Sequence, residues 1–312
     1  MRTIMAALAA IALTASVANG FAQAPAAEGE SVLTLRVDGE LSIDAEGRVL
    51  DYRIDTRLDP QVEKLVRRAV PGWRFKPILI DGQPIIAKSP MRITLAAIER
   101  EQGYQVKVDN VVFRPNTREE YEAEQAALKA HPRMSVEGET PGPRVWIRSK
   151  SLRPPKYPPD MLQAGVEGIV LLNVRVNPDG TVAEVFAGQS SLLNIKGDAG
   201  ALDRARAILE RNASATAKRW TFDVATEDSR PLSAAALTVR VPVEYLLASP
   251  GAAPGSIAGK WRHEFRGPNR QAPWLQGENA PKIGVSDLNG SEILAGVSPF
   301  GLRDDSVIGT TL

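Results

Sequence analysis

The stretch Ile169-Val-Leu-Leu-Asn-Val-Arg-Val176, followed by Asn177-Pro-Asp-Gly180 and then Thr181-Val-Ala-Glu-Val-Phe186, decides the fold. Two runs rich in β-branched residues flank a short polar loop that ends in glycine, which reads as a β-hairpin. Gly180 falls where such a loop needs a left-handed residue, a conformation that glycine adopts without a Cβ clash. The same object occurs earlier in the chain. Val37-Asp-Gly-Glu-Leu-Ser-Ile43 leads through Asp44-Ala-Glu-Gly47 into Arg48-Val-Leu-Asp-Tyr-Arg-Ile54.

The correspondence extends outward from both hairpins. After the first, Asp59 caps a helix with Pro60 at its first position, and Val62, Leu65, Val66 and Ala69 form one apolar stripe. After the second, Leu202, Ala205, Ile208 and Leu209 form the equivalent stripe, with Gln189 to Gly200 read as a longer loop before it. The helices lead into Trp73-Arg-Phe75 and Trp220-Thr-Phe222, with a proline eleven residues after each tryptophan, at Pro84 and Pro231. A further strand closes each unit, Met91 to Leu95 and Leu237 to Leu247. The expected class is α+β: two tandem ββαβ units, each a helix on a small antiparallel sheet, with Trp73, Phe75, Trp220 and Phe222 filling the space between the two layers.

Composition narrows the function. The 312 residues hold 38 Lys and Arg against 37 Asp and Glu, no Cys and two His, so no excess of positive charge is available for nucleic acid. Without cysteine there is no disulfide, no thiolate nucleophile and no Cys-based metal site. His131 and His263 are far apart and outside any metal-ligand spacing. His131 reads as a solvated helix-end residue, and His263 as a possible partner of Glu264 within Trp261-Arg-His-Glu-Phe265. No G-x-S-x-G elbow, P-loop or G-x-G-x-x-G turn occurs, and the paired carboxylates (Asp44 with Glu46, Asp304 with Asp305) sit in turns or the tail. The expectation is a non-enzyme without cofactor or metal.

At the N-terminus Arg2 precedes an apolar run of about fourteen residues, Ile4 to Val17, and then Ala22-Gln23-Ala24. This is the layout of a secretory signal peptide, residues 1–24, cleaved after Ala24, and the run falls short of the ~20 residues of a membrane span. An uncleaved anchor is the alternative. Residues 30–100 and 150–248 hold the two units, and 101–149 an extension. Tyr104 to Phe113 reads there as a strand extending the first sheet, Thr117-Arg-Glu-Glu120 as a capping box opening a charged helix, and Gly138 to Pro159 as a Pro/Gly linker. Residues 249–312 show no sustained periodicity and read as a poorly ordered tail, with Trp261, Phe265, Trp274 and Phe300 as its candidate anchors.

The ordered series Tyr157-Pro158, Gly165-Val-Glu-Gly168, the strand Ile169 to Val176, the Asn177-Pro-Asp-Gly180 turn, Lys218-Arg-Trp-Thr-Phe222 and the strand Val239 to Tyr245 resembles the C-terminal domain of the TonB family. The first unit looks like a more divergent copy, without the Tyr-Pro lead-in but with the Gly47 turn and Trp73-Arg-Phe75-Lys-Pro77. The resemblance implies a periplasmic, protein-binding domain that takes up an extended segment of an outer-membrane TonB-dependent transporter, or of another envelope protein, as an added strand. It implies partner-binding positions along the last strand, Arg240, Val241, Val243, Glu244 and Tyr245, with the Tyr157 and Pro158 lead-in close by. Pro242 would blunt that edge against promiscuous pairing.

The sequence also departs from the family pattern. The apolar segment carries Thr14 and Ser16 but no histidine, no comparable Pro-rich stalk is present, and Pro159-Asp160 follows Tyr157-Pro158 where the family often has a basic residue. A coupling to an inner-membrane motor complex therefore requires the N-terminus to remain uncleaved. The alternative is a soluble periplasmic adaptor or envelope protein that uses the same fold without transducing energy.

Overall fold

The computed structural model describes residues 29–80, 82–101, 103–114, 145–226, 231–247, 258–277, 282–288, 292–295, 298 and 300–312. The signal segment and the charged helix expected from Thr117 lie outside them. The first unit contains β1 (Glu30–Ile43), β2 (Val49–Ile54), α1 (Pro60–Ala69), β3 (Ile78–Ile80), β4 (Gln83–Ile85) and β5 (Ala87–Arg100), followed by β6 (Gly103–Phe113). The second is preceded by β7 (Val145–Ser151) and α2 (Pro159–Gln163) and contains β8 (Gly168–Val176), β9 (Val182–Leu193), α3 (Ala199–Ala217), β10 (Thr221–Thr226) and β11 (Thr238–Tyr245). Beyond it lie β12 (Arg262–Arg266) and β13 (Leu294–Ala295).

The same local geometry occurs in both units. Gly47 donates to the Asp44 carbonyl at 3.0 Å and Gly180 to the Asn177 carbonyl at 2.9 Å, each at positive φ, +79° and +85°. Phe75 then donates to the Gly47 carbonyl at 2.8 Å, and Phe222 to that of Gly180 at 2.9 Å, so each turn is tied to the chain leaving its helix. Asp59 caps α1 through the Gln61 amide and Asp198 caps α3 through that of Ala201. Val62 and Val66 on α1, and Leu202, Ala205 and Leu209 on α3, turn inward at helical spacing. Trp73, Phe75, Trp220 and Phe222 are all buried between layers. Each Trp-x-Phe segment also has a strand partner: β10 pairs with β7, and Phe75 bridges to Leu302.

Several expectations are corrected. Gln189 to Leu193, read as loop, belong to β9, and Val145 to Ser151, read as linker, form β7. The tail contributes two strands to the sheet, β12 and β13. Nine strands form one sheet in the order β13-β11-β8-β9-β12-β1-β5-β6, with β2 also paired to β1. β12 lies antiparallel to both β9 and β1, pairing Phe265 with Leu192 on one side and with Ser31 on the other. A five-residue strand thus joins the two units. At the far edge the C-terminal residues run beside β6, with Val108 donating to the Thr310 carbonyl at 3.0 Å and Leu312 to that of Val106 at 3.0 Å.

The tail also makes a third layer. Val170 and Leu172 on β8 face the α3 side, while the alternate residues Ile169 and Leu171 form a separate cluster with Ile283, Val285, Leu288 and Leu294. Residues 282–288 therefore lie as a strap on the sheet face opposite the helices, and β13 beyond them joins the sheet edge with its Leu294 side chain completing the cluster. Under the strap, Glu264 accepts hydrogen bonds from Thr34 at 2.6 Å and Ser286 at 2.9 Å and pairs with Arg262 at 2.6 Å. Asp287 accepts from Gly284 at 2.7 Å and Asn110 at 2.6 Å and is bonded to Thr94. These carboxylates are buried, so the hydrogen bonds that replace their water make the layer tenable.

Candidate functional site

β11 positions the partner-binding residues expected from the sequence. It pairs with β8 over its whole length, from Thr238 opposite Arg175 to Tyr245 opposite Gly168. Its other side meets β13, which pairs only with Val239 and Arg240. Arg240 is thus opposite Leu294 rather than on an open edge. From Val241 to Tyr245 no strand lies on that side among the described residues. Val241, Val243 and Tyr245 direct their side chains into the α3 core, and Glu244 points to solvent.

Tyr157 and Pro158 lie beside the end of that strand. The Tyr157 ring meets the Tyr245 ring edge to face, centroids 5.5 Å apart, and its hydroxyl donates to the Val166 carbonyl at 2.6 Å. Pro158 is the N-cap of α2. The Tyr245 hydroxyl donates to Asn212 Oδ1 on α3 at 2.7 Å, which fixes the end of the strand to the helix. Burial holds both phenols above the usual tyrosine range, with Glu167 adding to the effect at Tyr157 and Tyr157 itself at Tyr245. Both are neutral hydroxyls at neutral pH. Burial alone pushes the Arg240 guanidinium down to about 10.

Leu246 and Leu247 continue the chain past β11 and are exposed, and Leu247 donates its amide to Glu167 Oε1 at 2.7 Å. Sequence reasoning missed Asn212 and Leu294. Leu294 had a signal: the apolar run Ile169 to Leu172 in β8 is the pattern of a strand covered on both faces, which requires a layer beyond the helix.

Glu264 is bonded to Thr34, Arg262 and Ser286, and its neighbour His263 keeps Nδ1 buried without a hydrogen bond. His131 lies outside the described residues. Among the described residues, no group of three or more His, Cys, Asp or Glu side chains is placed to hold a metal ion, and no helix is long and apolar enough to cross a membrane.

Comparison with known proteins gives two relatives. Over 106 residues, 34% of its length, the chain is 39% identical to the protein named Protein TonB of Xanthomonas campestris pv. campestris, in strain B100 and equally in strain ATCC 33913. The alignment takes in 40% of each relative, so the chain spans about two fifths of the length of the curated proteins that it matches. No family model and no solved structure matches. The identity supports a TonB-like relationship, and the mixed α+β, largely antiparallel architecture is consistent with it.

Proposed function

We propose that the chain is a periplasmic, non-catalytic protein-binding module that takes part in outer-membrane transport by accepting an extended segment of a TonB-dependent transporter as a strand along β11. The observation that carries this reading is that, among the described residues, no strand pairs with β11 on its outer side beyond Arg240. Strand addition needs an unpaired row of main-chain groups, each bond contributing about 1 kcal/mol net, with specificity from the side chains around it. Tyr157, Pro158, Arg240 and Glu244 are the proposed specificity contacts. The TonB name of the two relatives and the order of motifs along residues 150–248 support the choice of partner.

In this reading the two ββαβ units are divergent copies, supported by their matching Gly47 and Gly180 turns. Within that correspondence β5 is the counterpart of β11, and β6 pairs with β5 from Met91 to Arg100. The first copy has its accepting strand filled by its own chain, whereas in the second, among the described residues, only Val239 and Arg240 are paired on that side. The cleavage signature Ala22-Gln23-Ala24 favours a released binder, an adaptor that transmits no force from an inner-membrane motor.

Calorimetric titration of the purified chain with a synthetic peptide copied from the periplasmic N-terminal segment of a TonB-dependent transporter tests the proposal. Saturable 1:1 binding, weakened by Tyr157→Ala, is expected. Absence of binding to a panel of such peptides contradicts it. Intact mass and fractionation separate the two forms: a soluble chain beginning at Pro25 is the adaptor, and an unprocessed chain in the inner membrane is a tethered transducer.

A further inference from the structure

We propose that the outer face of α3 is a docking surface for an anionic phospholipid membrane, made by a row of three cations. The inference goes beyond the strand-binding reading and does not depend on it. Asp203 and Glu210 are the acids of α3, and both turn onto its buried cation, Arg206, which pairs with Asp203 and stands 3.5 Å from Glu210. Glu210 also accepts from Ser190 and lies 3.4 Å from Arg270. The helix therefore spends its negative charge inward. Arg204, Arg211 and Lys218 are exposed and, among the described residues, have no carboxylate within ion-pair distance. None of them has an acid three or four positions away, whereas on α1 Arg67 pairs with Glu63 at 2.7 Å in the manner of a solvated helix.

The three cations share one face. A spacing of seven residues drifts only ~20° per step around a helix, so Arg204, Arg211 and Lys218 form a single row ~21 Å long. The residues between them on that face, Ala207, Ser214 and Ala215, are small, and the exposed large apolar side chains of the described residues all lie off α3. Beside the row, Arg211 and Lys218 border a groove of about 310 Å³ against β9, lined also by Ala187, Glu210, Ser214 and Ala215. Lys218 complements the negative end of the helix dipole as well. Arg204 and Arg211 stand too far from that end to serve it.

Charge complementarity selects an anionic occupant, and the shape of the face selects a lipid surface. A protein partner is normally held by apolar or aromatic anchors seated in pockets, which this face lacks. A negatively charged lipid surface needs only several cations projecting on one side, which it has. The groove gives a headgroup phosphate access to Arg211 and Lys218 together. The helix layer then lies between the sheet and the membrane, with residues 282–288 on the far side.

The test is vesicle co-sedimentation of the chain beginning at Pro25, the cleaved form, with phosphatidylcholine alone and with phosphatidylcholine mixed with phosphatidylglycerol. Binding to the mixed vesicles only, lost on adding salt, is expected. Each cation at such a surface contributes a factor of ~5, so Arg204→Gln, Arg211→Gln and Lys218→Gln together should weaken binding ~100-fold. The charge-matched control Lys64→Gln, Arg68→Gln and Lys76→Gln, at exposed cations of the first unit, should weaken it less than ~5-fold. No binding by the unsubstituted chain, or equal weakening by the two triple variants, overturns the proposal. Binding to polyglutamate in place of the vesicles also overturns it, by making the face a site for an acidic protein. If the α3 triple variant does not fold, the three single substitutions decide the matter, each expected to weaken binding ~5-fold.

Discussion

The amide of Phe222 donates to the carbonyl oxygen of Gly180 at 2.9 Å, and a Cβ placed on Gly180 would sit 2.0 Å from the Phe222 carbonyl oxygen. The turn and the strand leaving α3 are therefore closed on each other with no room for a side chain. Phe75 and Gly47 repeat the relationship, with a hydrogen bond of 2.8 Å and a Cβ clearance of 2.1 Å. Gly180→Ala carries both the left-handed backbone cost, about 1–3 kcal/mol, and a backbone clash. The expected outcome is a loss of at least that size in thermal or denaturant unfolding for either glycine. Gly82, also at positive φ, has nothing within 4 Å of its Cβ position, so Gly82→Ala loses only the conformational part.

A second prediction concerns the tail. Leu288 is fully buried beneath the sheet, so Leu288→Ala is expected to cost about 2–5 kcal/mol, like any large-to-small change in a core. Leu79 is 57% exposed on the β3 strand, and Leu79→Ala should fall within about 0.5 kcal/mol of the unsubstituted chain. Equal effects in chemical denaturation would remove the tail from the core.

How far the fold was legible follows from these residues. The hairpins, both helices and the Trp-Phe pairs could be read because glycine turns, Asp59 capping and 3.6-residue stripes are local signals. The strap could not, because Asp287 and Glu264 look like ordinary solvated acids until Thr94, Asn110 and Thr34, distant in sequence, are brought to them. β12 escaped for the same reason. Arg262-His-Glu-Phe-Arg266 has one apolar position, and its partners on β1 lie some 230 residues earlier, as the Thr34–Glu264 bond shows. Around β11, the strand itself and the lead-in Tyr157 are legible from motif order, whereas Leu294 opposite Arg240 needs the pairing register.

The pH response follows from Glu264. Burial pushes its carboxyl up, but the Arg262 charge and the bonds from Thr34, Arg262 and Ser286 outweigh burial and hold it below the ordinary value of 4.5. A depressed folded-state value means that the stabilisation is present above the unfolded value and is lost as pH falls through the folded one. Unfolding free energy is expected to drop on acidification below about 4.5 and to do so less steeply in Glu264→Gln. Glu264→Gln at neutral pH also leaves Arg262 without its charge partner, at a cost of about 3–5 kcal/mol. An unchanged acid limb in the variant would assign the transition to other carboxylates.

Strand addition predicts an alternation in the ligand. N-methylating every second amide of the transporter-segment peptide in one register removes the bonds that point toward β11, and in the other register removes none. At about 1 kcal/mol per main-chain bond, two or three lost bonds weaken binding by roughly 30- to 150-fold. Equal weakening in both registers would argue for recognition through side chains alone.

The most direct measurement is amide hydrogen exchange of the isotopically labelled chain with and without that peptide, residue by residue along β11. The account predicts new protection at the Glu244 amide, because the residues of this stretch that face away from β8 are Pro242, which has no N–H, and Glu244, with the largest shift changes spreading to Tyr157. Bound peptide that leaves that amide unprotected, and instead protects the β6 edge or the β3–β4 hairpin, contradicts it.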